Sequence, residues 1–278
     1  MKKVLDLLSD KKVKLTIIAI LVALFVIIMV VSIMKNRSKN KEEEPPAPTQ
    51  IVVDDSLKKK LSNYVDELST GPYCEIPTNQ EFSNDCIYRN NNTLKENLTV
   101  TYRINSLVLA IGNKKENNIM VGNITANGKS FYNPHYVDLE EVKKEYEQLY
   151  GTTDTFAPET VNNINNFNIR FDADKNKFFY QPGDNNNFVI TYIEKYESTT
   201  EDVTVYVRVG YISYEFYKYH LYNNKAKERE IVSLTTREYK EGNIINDANY
   251  QELTEFKIKF TKEQDSDNLL FTSVELVS

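Results

Sequence analysis

The sequence predicts an α+β fold: an N-terminal transmembrane helix, a flexible stalk, and then about three helices packed on a curved antiparallel sheet. Three observations predict it. Residues 15–34 form one apolar run bounded by basic residues. Apolar side chains recur at helical spacing in three segments before residue 155. After Thr160 the chain turns to short alternating runs separated by polar turns. Helices first and consecutive antiparallel strands afterwards is the order of a domain whose helices cover one face of a sheet.

In residues 15–34 only Thr16 and Ser32 are polar. At a rise of ~1.5 Å per residue the run crosses a hydrocarbon core of ~30 Å, so its expected partner is the lipid bilayer. A cleavable signal peptide has a shorter apolar region and a small-residue site, whereas Val30-Val31-Ser32-Ile33-Met34 leads directly into Lys35-Asn36-Arg37. The expectation is an uncut, single-pass signal-anchor in the cell membrane, preceded by a basic tail, 1–14. Flanking charges nearly balance, with Lys2, Lys3, Lys11, Lys12 and Lys14 before the run and Lys35, Arg37, Lys39 and Lys41 after it. Placing the tail in the cytoplasm and the large domain outside rests instead on Cys74 and Cys86. They lie close together in a polar segment where a disulfide could form; two reduced thiols in a cytosolic domain is the alternative.

Residues 35–55 read as a stalk, because Glu42-Glu43-Glu44 and Pro45-Pro46-Ala47-Pro48 bury no apolar surface. The folded part is then 56–278, with a subdivision near 155–165. Its first helix shows Leu57, Leu61, Tyr64, Val65 and Leu68 on one face, Ser56 as N-cap and Gly71-Pro72 as the stop. A turn-rich stretch holding both cysteines follows. Val100, Ile104, Leu107, Val108 and Ile111 predict a second helix, although Thr99, Thr101 and Tyr102 favour strand. For the third, Asp138 and Glu141 fit a capping box, Leu139, Val142, Tyr146 and Leu149 form the stripe, and Gly151 follows the end. Strands are expected at 167–171, 177–180, 188–196, 203–214, 218–222, 228–233, 256–260 and 269–276. Val203, Val205, Val207 and Val209 alternating with Thr204, Tyr206 and Arg208 is the plainest of them.

Charge excludes one class of function. The chain carries a net −6; residues 1–41 hold nine Lys or Arg against two acids, +7, so 42–278 carry −6 − 7 = −13. So acidic a domain does not neutralise phosphates, and no nucleic acid is expected as a partner. Catalytic and cofactor motifs are not assembled. Asp172, Asp174 and Asn176 imitate the start of a calcium loop, but Lys177 and Gly183 stand where that loop needs Gly and Glu, and a polar hairpin turn accounts for them. His135 and His220 have no further ligands at metal spacing. A Cys86–His135 pair competes with the simpler disulfide. Gly is scarce, eight in all, and forms no phosphate loop.

The most unusual feature of the domain is the cluster Tyr211, Tyr214, Phe216, Tyr217, Tyr219 and Tyr222. Exposed on a sheet, such rings could stack on sugars or anchor a protein interface, which makes them the candidate interaction surface. Cross-strand packing accounts for them without any ligand.

This order of elements resembles the cystatin-like and nuclear-transport-factor-2-like cone folds, in which helices close the concave side of a bent antiparallel sheet. The Asn- and Lys-rich composition, the anchor with its acidic stalk, the segment 137–153 ending Gln148-Leu149-Tyr150-Gly151-Thr152-Thr153 and the terminal hairpin 256–276 also resemble uncharacterised single-pass, membrane-anchored surface proteins of low-GC Gram-positive bacteria. That resemblance implies an extracytoplasmic, cell-envelope placement and carries over no functional residue. The leading expectation is a membrane-tethered, non-enzymatic module that binds a protein or envelope partner. The alternatives are a structural component of a secretion, conjugation or division apparatus, and an enzyme or small-ligand receptor using the concave face of the sheet.

Overall fold

The structure is a computed structural model that describes residues 23–27, 29–30, 50–70, 87–88, 91–115, 118–163, 169–181, 187–224, 226–241, 244–264 and 266–277. The chain divides into two compact units, Met1–Thr49 and Gln50–Ser278. In the first unit, 23–27 and 29–30 are helical and exposed. Among the described residues no helix is long and apolar enough to cross a membrane. The rest of the apolar run 15–34, the tail 1–14 and the stalk as far as Thr49 lie outside the described residues, as do Cys74 and Cys86.

Gln50–Ser278 is mostly antiparallel sheet, which overturns the α+β expectation of helices laid on one curved sheet. Among the described residues its twelve strands are β1 (Asn92–Leu94), β2 (Asn123–Ala126), β3 (Lys129–Tyr132), β4 (His135–Asp138), β5 (Ile169–Asp172), β6 (Lys177–Tyr180), β7 (Asn187–Ser198), β8 (Asp202–Glu215), β9 (Lys218–Tyr222), β10 (Glu230–Thr235), β11 (Thr254–Lys262) and β12 (Leu269–Leu276). Against them stand the helices α1 (Asp55–Ser69), α2 (Val100–Asn113) and α3 (Leu139–Tyr150), and the six-residue α4 (Thr236–Glu241). Nor do strands wait until the helices are complete: β1 to β4 lie between them. Each has only three or four residues, too few for alternation to register in a sequence.

Seven strands form the main sheet, in the order β1-β12-β11-β8-β9-β10 with β7 also on β8. β8 is its spine. Along one edge β7 pairs from Asn187↔Ser213 to Ser198↔Val203; the other edge is shared by β11, ending at Thr254↔Val209, and by β9, beginning at Tyr211↔Tyr222. Two smaller sheets, β2-β3 and β4-β6-β5, complete the unit.

This spine carries two cores on opposite faces. Val203, Val205, Val207, Val209 and Tyr211 point into the main core with Phe256, Ile258, Phe260, Phe271 and the apolar faces of α1 to α3. On the other face, Ile212 joins Leu221, Ile244, Ile245 and Leu253 in a second core at the β9 end. Gly210 lies where that core presses on the strand: a Cβ there would sit 2.5 Å from the Leu221 Cδ1. β-Branched valines at alternate positions suit a pleated strand that is buried on one side.

Helix ends depart from expectation in an instructive way. Asp54, not Ser56, caps α1, its carboxylate accepting from the Leu57 N–H at 2.8 Å. At α3 Asp138 occupies the cap position without making the bond; Lys177 takes its carboxylate and Lys115 takes Glu141. Charge-assisted pairs outcompete the neutral N–H donors of the helix start. The strand-like start of α2 is explained by Thr99, whose hydroxyl accepts from the Tyr102 N–H at 3.1 Å.

Candidate interaction surface

The β8–β9 hairpin closes on a two-residue turn, Phe216-Tyr217, between the paired residues Glu215 and Lys218. Both turn residues have positive φ, 50° and 66°, as a type I′ turn requires. Asn and Gly are the residues that adopt this geometry at least cost; the left-handed region costs other L-residues roughly 1–2 kcal/mol each. The chain uses the favoured pair elsewhere. Between β2 and β3 the turn is Asn127-Gly128, with φ of 44° and 75°. At the β8–β9 tip it instead places two large rings in strained backbone, Phe216 89% and Tyr217 85% exposed.

Behind this tip the hairpin is held on both faces. On one, Tyr219 stacks on Tyr239 of α4, with centroids 3.9 Å apart, meets Tyr214 at 4.7 Å and Phe188 of β7 edge-on at 6.5 Å. On the other, the Lys227 ammonium donates to Ser213 Oγ at 2.8 Å and to the Glu215 carboxylate at 2.5 Å. His220 bridges Glu230 at 3.1 Å and the Glu215 carbonyl at 3.3 Å. The hydrogen bonds from Lys227 and Ser213 hold the Glu215 carboxyl below its ordinary range. Aromatic packing and charge-assisted bonds together fix the direction in which the tip projects.

The six aromatics singled out in the sequence therefore separate into three environments. Tyr211 is buried in the main core and Tyr222 packs against it from the paired position. Tyr214 and Tyr219 are half-buried in the aromatic stack; only Phe216 and Tyr217 are exposed. Tyr239 and Phe188, which complete the stack, come from distant segments, and no local spacing reveals them. The Asp172–Asn176 turn joins β5 to β6. There Asp172 accepts from the Lys175 N–H at 3.1 Å and from its ammonium. His135 packs against Tyr180, with ring centroids 5.5 Å apart.

A second departure from ordinary burial lies among the helices. Glu67 on α1 is 3% exposed; one carboxylate oxygen is 3.4 Å from the half-exposed Lys114 ammonium, and the other has no hydrogen-bond partner among the described residues. Burial pushes its carboxyl up to about 7, with Lys114 opposing and Glu145 and Asp66 adding to the rise. Open depressions on Gln50–Ser278 include two among the described residues. One, of about 560 Å³, is apolar, with Ile190, Tyr192, Tyr239, Ile244 and Ile245 in its lining. The other, of about 450 Å³, contains Asp54 and Asp267, which are committed to the α1 cap and to Lys262. Neither depression is lined by Glu67 or a histidine. What the surface offers is aromatic contact at a rigid point.

Comparison of the chain with protein-family models, with curated proteins and with solved structures gives no match.

Proposed function

We propose that this chain is a membrane-tethered, extracytoplasmic, non-enzymatic interaction module, and that the Phe216-Tyr217 tip is its point of contact. The tether rests on the apolar run 15–34 with its basic flanks, and the outward placement on a disulfide proposed between Cys74 and Cys86. The observation that carries the contact site is the exposed pair of aromatic rings in a turn that the same chain builds elsewhere from Asn and Gly. Strain retained at an exposed position, where a cheaper residue pair was available, marks function more than stability.

Position supports the reading. The chain enters Gln50–Ser278 beside the β7–β8 turn, with Gln50 Nε2 donating to the Ser198 carbonyl at 2.7 Å and Ile51 N–H to the Thr199 carbonyl at 2.8 Å. β8 then runs 14 residues to the tip, roughly 45 Å at the usual rise. The aromatic contact is thus held at the far end of the spine from the tether point.

A photocrosslinking residue at Tyr217 of the full chain in cells tests this, with the same residue at Tyr132, 66% exposed on another hairpin, as control. Adducts from position 217 and not from 132 are expected, in a fraction that resists alkaline extraction of membranes. Equal adducts from the two positions, or none from 217, would remove the tip from the mechanism; a chain released by alkali would remove the tether.

A further inference from the structure

We propose that the partner of the β8–β9 tip is a lipid surface: Phe216 and Tyr217 enter the headgroup–acyl boundary of the bilayer to which the chain is tethered. This rests on the tethered reading given above. Size is the first argument. An aromatic side chain buries about 150–250 Å², so two offer roughly 300–500 Å², against about 800 Å² per partner in a stable protein interface. A projecting point of that size suits a surface without shape of its own. Chemistry agrees, since a phenyl ring beside a phenol presents an apolar body with a polar hydroxyl, the combination that settles at membrane interfaces.

The charges beside the tip permit the approach. Although residues 42–278 are strongly acidic, the acid nearest the turn, Glu215, is neutralised by Lys227 and bonded by Ser213, and the exposed Lys218 follows Tyr217 directly. Reach is sufficient as well. Chain entry and tip lie at opposite ends of β8, so docking on the tethering bilayer needs a connection about as long as that strand. Residues 35–49 number fifteen and extend to at most ~50 Å, against roughly 45 Å for β8. Two rings bind a bilayer weakly by themselves; the tether holds them at an effective concentration in the millimolar range, where weak binding suffices.

The chain contains no tryptophan, so Phe216→Trp in the full chain gives a single indole that can be excited at wavelengths its tyrosines do not absorb, with Tyr132→Trp as its control. Each is reconstituted into phosphatidylcholine vesicles, with and without phosphatidylglycerol, and floated on a density gradient. For Phe216→Trp the expected result is a blue-shifted emission that loses most of its intensity to lipids brominated in the acyl chain and is shielded from aqueous iodide. Tyr132→Trp should show the reverse. Emission from Phe216→Trp that matches the control overturns the proposal while flotation leaves the tether intact. A blue shift that ignores brominated lipid and grows with protein density assigns the tip to a second copy of the chain and likewise overturns it. A chain that fails to float refutes the tethered reading, and this inference with it. Replacing Phe216-Tyr217 with Asn-Gly should leave flotation unchanged and, by photocrosslinking from Lys218, abolish lipid adducts; persistence of those adducts would also overturn it.

Discussion

Replacing Glu67 with glutamine should stabilise Gln50–Ser278 above neutrality and leave it nearly unchanged in mild acid. Burial raises the folded-state value of this carboxyl from the ordinary 4.5 to about 7. In the unfolded chain the proton leaves near the ordinary value; in the folded unit it stays until about 7. Between those limits the folded state binds more protons, so stability falls as pH rises, and above them the whole penalty is present. A difference of about 2.5 units at ~1.36 kcal/mol per unit corresponds to a penalty of about 3 kcal/mol. Glutamine keeps the shape and removes the ionisation. Lys114, half-exposed at the end of α2, regains water when its partner is lost, so little is forfeited there. Urea midpoints of residues 50–278, a unit with its own hydrophobic cores, measured at pH 5 and pH 8 are the assay. The wild-type midpoint should fall between the two and that of Glu67→Gln should not. A variant weaker than wild type at pH 8 would mean that the ionised carboxylate is stabilised by Lys114, and the reasoning from burial would be refuted.

Three more outcomes can be measured with the same fragment. Replacing Phe216-Tyr217 with Asn-Gly should raise stability by about 1–3 kcal/mol, read as a higher urea midpoint, because Asn and Gly hold the left-handed backbone at lower cost than Phe and Tyr; no gain would show that the aromatic pair is not strained. Gly112→Ala should lower stability by about 3 kcal/mol, since its Cβ would fall 2.0 Å from the Tyr180 hydroxyl and 2.5 Å from the buried ring, which has no room to move; a neutral effect by thermal melting would exclude that close packing. Arg103→Met should cost about 3–5 kcal/mol, because the buried guanidinium donates to Asp154 at 2.7 Å, Tyr146 at 3.2 Å and the Leu98 carbonyl at 3.1 Å. Burial raises the Asp154 carboxyl, but Lys95 and Arg103 outweigh it and hold the group below its ordinary range. Its contribution is therefore present above that range and lost as pH falls, and the acid limb of the stability profile should flatten in the variant.

Much of the secondary structure was legible because burial and period agree. Leu61, Tyr64, Val65 and Leu68 are buried on α1 and Val142, Tyr146 and Leu149 on α3, and the alternate valines of β8 face the core. The balance of the fold was not legible. β2, β3 and β4 take their stability from pairing with one another and with β6, a non-local fact that four-residue runs do not encode. Nor does any pattern announce that β8 shares one edge between β11 and β9. Glu67 was hidden for a related reason. On α1 alone it belongs to the polar flank, and it becomes interior because α2, buried along nearly its whole surface, packs against that flank.

The tyrosine-rich segment was visible as composition, yet its meaning lies in the two residues that composition does not separate from the rest. Four of the six rings are consumed by packing, as cross-strand pairing demands. The remaining two break the turn rule that Asn127-Gly128 obeys 89 positions earlier in the same chain. Glu67 departs from ordinary burial as well, with one carboxylate oxygen on the half-exposed Lys114 and the other without a hydrogen-bond partner among the described residues. Accessibility separates the two departures. A buried one acts on the stability of the helices around it, and its signature is a pH-dependent midpoint. An exposed one, backed by an aromatic stack and a charge-assisted clamp, costs the fold energy without adding to its packing, which is the ground for proposing the tip of β8 as the point of contact.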